Sequence, residues 1–113
     1  MVKKTNSDKT IPQEVKLQVD SIVKEFNENV ISNPHYRYLA RYKSNYLYLD
    51  IIKYGRSGPI CRLKYTGDMQ KWEFAIYRYS KNFYDPDEWM FPGSSFIDGT
   101  ITGAMKAGLE AYP

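Results

Sequence analysis

The spacing of apolar residues changes once along the chain. Val15, Val19, Ile22, Val23, Phe26 and Val30 recur at intervals of three, four and one. That spacing predicts an amphipathic helix near residues 12–31. "TIPQ" reads as its start, with Thr10 as cap and Gln13 closing a capping box. "SNP" at residues 32–34 ends it, because a residue before proline avoids helical angles. From His35 onward the period becomes two. Strands are expected near 36–43, 46–54, 60–66 and 71–79, joined by the short turns "SN", "GRSGP" and "GDMQ". A last apolar stripe, Ile101, Ala104, Met105, Leu109 and Tyr112, predicts a helix near 99–111 capped by Asp98.

Short hairpins favour an antiparallel meander over crossovers. Pairing Lys43 with Tyr46, Ile51 with Leu63 and Leu63 with Phe74 puts the large apolar side chains on one face. That face carries Tyr38, Ala40, Tyr42, Leu47, Leu49, Ile51, Cys61, Leu63, Tyr65, Trp72, Phe74 and Ile76. A slip of one residue inverts a strand, so three registers agreeing on one face is a strong constraint. The fold class expected is α+β: a two-layer α-β-β-β-β-α domain with both helices on one face of a four-stranded meander. Residues 1–9 are expected as a tail and 10–113 as one domain. Gly103 and Gly108 are poor helix formers, and their presence calls for close packing of the last helix on the sheet.

The opposite face then holds Arg37, Leu39, Arg41, Lys43, Tyr46, Tyr48, Asp50, Arg62, Lys64, Glu73 and Tyr77, with Leu39, Asp50, Lys64 and Glu73 in one row. Charge reinforces that picture. Residues 35–81 carry ten Lys/Arg against three Asp/Glu, whereas residues 82–113 carry one against five. The chain's net charge of +3 conceals this division. Eleven tyrosines, many next to Arg or Lys as in "HYRYLARYKSNYLY", suit a contact surface. The reading is a small non-enzymatic binding or assembly module whose open sheet face meets a protein partner or a second copy. Arg37, Arg41, Tyr48, Arg62 and Tyr77 are the candidate binding residues. The alternative is a nucleic-acid-binding face, with tyrosines stacking bases and arginines on phosphates.

Chemistry for catalysis is sparse. The single cysteine, Cys61, falls on the core face, and the single histidine, His35, has no acid or nucleophile nominated beside it. "YDPDEWMFPG" contains Asp85, Asp87 and Glu88. A second alternative makes these a carboxylate site of a small enzyme or metal-binding protein. The preferred reading is local: Asp85 caps a short helical turn, and Trp89 is buried beside it. No cofactor is nominated. No stretch approaches a membrane span, and "MVKKTNSDKT" has no apolar run behind its charges, so a soluble cytoplasmic protein is expected. The element order is similar to the α-β-β-β-α of double-stranded-RNA-binding domains. It has one more strand, and "DGTITGAMKAG" lacks the lysine cluster those domains use on phosphates, so no residue role carries over.

Overall fold

The computed structural model describes residues 10–113. The expected tail, 1–9, lies outside the described residues. Helix α1 (Gln13–Asn29) precedes five strands, β1 (Tyr36–Lys43), β2 (Tyr46–Lys53), β3 (Arg56–Lys64), β4 (Glu73–Arg78) and β5 (Phe83–Asp85). Helix α2 (Ile101–Ala111) follows a single 3-10 turn at Ser94–Phe96. The strands form one antiparallel sheet in meander order. The α+β class and the shared helix face are as the pattern predicts, with one short strand more.

Both helices bury their stripes against the predicted apolar face. Val19 of α1, Leu47 and Leu49 of β2, Cys61 of β3 and Met105 of α2 are completely enclosed. The expected cap of α1 is displaced. Pro12 holds the cap position with φ −59° and ψ 151°, and its carbonyl accepts the N–H of Val15 and of Lys16. Proline drives the residue before it into extended geometry, which moves the helix start past Thr10. Ile11 uses that extended geometry to enter the core and to donate its N–H to Ser44 O. At α2 the cap is Thr100, whose hydroxyl accepts the Gly103 N–H at 3.0 Å. Asp98 stands behind it, accepting from the Thr100 N–H and hydroxyl, which holds its carboxyl below the usual carboxylate range.

At Gly108, α2 lies directly against the sheet. A Cβ there would overlap the Tyr38 hydroxyl and Ile60 Cγ2. That hydroxyl donates to Met105 O at 2.7 Å, so helix and sheet are joined by a buried hydrogen bond as well as by packing. The small residues of α2 are used inside the fold, since Gly103, Ala107 and Gly108 are all buried.

The β1–β2 register pairs Lys43 with Tyr46 and Tyr38 with Ile51, and the β3–β4 register pairs Leu63 with Phe74, as predicted. The β2–β3 register differs. Leu63 pairs with Leu47 instead of Ile51, and Leu49 with Cys61. The hairpin is tighter than the expected five-residue loop: Lys53 pairs Arg56 across Tyr54–Gly55. Both turn residues have positive φ, 52° and 82°, as a type I′ turn requires. The partners run Cys61 with Leu49, then Pro59 with Asp50, so Ile60 is an unpaired extra residue. Proline lacks the N–H a ladder needs and is tolerated in an interior strand beside such a bulge. The bulge also turns Ile60 and Cys61 both inward, and both are buried.

β1 is an edge strand, and α1 satisfies part of that edge. Asn27 accepts the Tyr38 N–H through Oδ1 at 2.7 Å and donates through Nδ2 to Tyr38 O at 3.0 Å. The amide thus does what a neighbouring strand residue would do. Asn27→Ala is expected to lower unfolding free energy by about 2 kcal/mol, because it strips partners from two part-buried backbone groups. Asn27→Asp keeps the acceptor but loses the donor, and should recover only part of that. Urea denaturation of the three proteins measures it, and a loss under about 0.5 kcal/mol for Asn27→Ala would show the edge to be hydrated instead.

Candidate interaction face

The outer face of the sheet, opposite the helices, is built by strand parity. Tyr38, Leu47, Leu49, Leu63, Phe74 and Ile76 point to the core, so their neighbours along each strand point outward. Arg41, Tyr48, Arg62 and Ala75 form one row, and Lys43, Tyr46, Lys64 and Glu73 the next. Asp50 lies between Leu39 and Pro59. The expected row joining Asp50 to Lys64 and Glu73 is absent, because the β2–β3 register lies four residues from the predicted one (Leu47, not Ile51, opposite Leu63). Tyr77 pairs with Tyr84 of β5.

These residues make an ordered aromatic and cationic layer. Arg41 binds Asp50 with both ends of its fork, Nε to Oδ2 at 2.5 Å and Nη2 to Oδ1 at 3.0 Å. The guanidinium also sits over the Tyr48 ring, 5.0 Å from its centre. The Asp50 bond raises the Arg41 pKa further above its ordinary value. Tyr48 meets Tyr84 edge to face at 5.3 Å, and Tyr84 meets Tyr77 in the same way at 4.9 Å. Arg62 lies over Tyr46 at 4.6 Å and over Tyr84 at 5.5 Å. Cations on ring faces and rings set edge to face are the favoured electrostatic arrangements for both groups.

Four of the five candidate residues, Arg41, Tyr48, Arg62 and Tyr77, therefore join through contacts in this layer. Arg37 shares the face, opposite Ile52, but is exposed toward its rim. Tyr84 belongs to the layer and was not anticipated there. Its stretch reads in the sequence as a helical turn tucked under the sheet. Asn82, with φ 57°, instead lets the chain reverse, and Phe83–Asp85 returns as a strand. Asn82, a residue type that tolerates positive φ, is the local signal that could have revealed this turn.

The acidic stretch departs from expectation in geometry. Asp85 Oδ1 accepts the Asp87 N–H at 2.9 Å, two residues ahead, but it closes a turn after a strand and caps no helix. Arg78 reaches Asp85 at 3.2 Å and Glu88 at 3.4 Å. Backbone N–H donation from Asp87, with Arg78, holds the Asp85 carboxyl below its ordinary value. Trp89 is 48% exposed instead of buried, and no helical turn forms between Asp85 and Trp89. Its ring lies 6.3 Å from Phe74, while Phe91 packs on Phe74 at 6.0 Å. Among the described residues, no three His, Cys, Asp or Glu side chains converge in a way that would hold a metal ion. Cys61 is fully buried, and burial pushes its thiol pKa up. No helix among the described residues is long and apolar enough to cross a membrane.

These features define the class: a two-layer α+β domain with one sheet face open and carrying tyrosines and arginines. Compared with family models, curated proteins and solved structures, the chain matches none.

Proposed function

We propose that the protein is a binding module that docks another protein on the outer face of its sheet. The observation that carries this reading is the Arg41, Tyr46, Tyr48, Arg62, Tyr77 and Tyr84 layer, ordered on the face that neither helix covers. Tyr and Arg are the residues most enriched where interfaces hold their energy. Rings and guanidinium groups that already restrain one another lose little further freedom on binding. The nucleic-acid reading needs ring faces open to bases. Here Arg41 occupies a face of Tyr48, and Arg62 occupies faces of Tyr46 and Tyr84. A base would have to displace an arginine, which favours a protein partner. The enzyme and metal readings draw least support, since Arg78 already engages Asp85 and Glu88.

Affinity capture with paired surface variants tests the reading. Leu39 is exposed on the outer face and Leu17 on the outward side of α1. Wild type and Leu17→Ser are expected to recover the same partner, and Leu39→Asp to lose it. Loss with Leu17→Ser alone would move the contact to the helix side. Light scattering over a concentration series covers self-association: a dimer dissolved by Leu39→Asp makes the partner a second copy. Salt-sensitive binding of single-stranded oligonucleotides, abolished by Tyr48→Ala, would transfer the face to the nucleic-acid reading.

A further inference from the structure

Three arginines are held in place by this domain, and they differ in what occupies their donors. Arg41 spends its fork on Asp50, and Arg78 reaches Asp85 and Glu88. Arg62 is half-buried and lies over Tyr46 and Tyr84, yet among the described residues its side chain makes no hydrogen bond or ion pair. Contact with a ring occupies the flat face of a guanidinium. Its N–H groups lie in the plane and stay available. A fork with restrained orientation and unspent donors is suited to a planar carboxylate.

We infer that Arg62 is the receptor for a carboxylate presented by an acidic segment of the partner protein. The inference rests on the docking reading above and specifies the chemistry of what docks. The charges of the face agree with it. Arg37, Arg41, Lys43, Arg62 and Lys64 stand against Asp50 and Glu73 alone, and Asp50 is already consumed by Arg41. Two copies meeting through this face would set a positive surface against a positive surface, so an acidic partner fits better than a second copy. Phosphate shares the charge of a carboxylate, but a nucleic acid would lack ring faces to stack on. A segment of Asp or Glu needs none.

The probe is a fluorescein-labelled peptide of eight glutamates, titrated at low ionic strength and followed by anisotropy, beside eight glutamines and an octathymidylate. Arg62→Gln is expected to weaken octaglutamate binding about tenfold, the effect of losing one charge-assisted contact. Lys43→Gln removes the same charge from the same face, at an exposed residue outside the tyrosine and arginine layer, and should change it by no more than about twofold. Arg62→Lys keeps the charge but not the fork and should bind nearer to Arg62→Gln than to wild type. Circular dichroism melts establish that each variant is folded. Equal losses for Lys43→Gln and Arg62→Gln would reduce the effect to general attraction and overturn the inference. Octathymidylate binding tighter than octaglutamate, with the same dependence on Arg62, would overturn it in favour of a phosphate ligand. Absence of octaglutamate binding would also overturn it. The docking reading would then still stand or fall on the capture of a partner by wild type and its loss in Leu39→Asp.

Discussion

Phe74→Ala will lower the unfolding free energy by about 3–5 kcal/mol. Phe74 is buried on β4, opposite Leu63, and is the residue on which Trp89 and Phe91 both rest. Truncation removes a large apolar side chain from the core and leaves a cavity. The strands around it are tied by ladder hydrogen bonds and can collapse only in part. The segment after β5 loses its anchor in the same step, because both of its aromatic contacts here are with this ring. A domain of this size has about 5–15 kcal/mol in all, so the variant will be close to its threshold. Guanidinium titration of wild type, Phe74→Leu and Phe74→Ala measures the effect, with Phe74→Leu expected to lose less than about 2 kcal/mol. Tryptophan emission supplies a second readout. Trp72 is buried, so a red shift in the folded Phe74→Ala protein reports release of Trp89. A loss under about 1 kcal/mol would mean that the core is not organised around this ring.

Arg41→Leu will lower stability by about 2–3 kcal/mol, and adding Asp50→Leu will recover most of the loss. The asymmetry of the pair is the reason. The Asp50 side chain is 11% exposed and that of Arg41 is 49%. Removing the arginine strands a nearly buried carboxylate among Leu39, Pro59 and the tyrosines, and an uncompensated buried charge is among the costlier defects. Removing Asp50 alone should be milder, since Arg41 can turn to water. An apolar pair at both positions needs no compensation at all. The double-mutant cycle should therefore give a coupling of about 2–3 kcal/mol. Strictly additive losses would show the two groups to act independently, despite their bidentate geometry.

The readable part of this chain was set by local rules. Lys43 meets Tyr46 because a two-residue turn fixes the register, and Leu63 meets Phe74 in a pairing of the parity that keeps the apolar set inside. The stripe of α1 was legible for the same reason at helical period. Three features were not. The start of α1 moved because Ile11 answers to Pro12 and to a core position beside β1 at once. β5 has only three residues, too few for alternation to speak. The order of residues from Asp85 reads as a capped turn with Trp89 buried beside it, but Asp85 ends a strand and Trp89 is half exposed, an outcome set by β5, which the local residues do not encode.

The candidate face divides along the same line. Side-chain parity alone assigned Arg37, Arg41, Tyr48, Arg62 and Tyr77 to the outer face, and parity survives any shift of a strand by an even number of residues. That is why an error of four residues between β2 and β3 left the face intact. It changed every neighbour on it. With Leu63 opposite Ile51, Asp50 would have met Lys64. With Leu63 opposite Leu47 and a bulge at Ile60, Asp50 lies beside Pro59 and is taken by Arg41, while Arg62 comes to rest between two tyrosines with its donors unspent. Alternation records which side of the sheet a residue faces and nothing about its position along the neighbouring strand. Position depends on the turn at Tyr54–Gly55 and on where Pro59 can be accommodated, and the assembled sheet alone decides both.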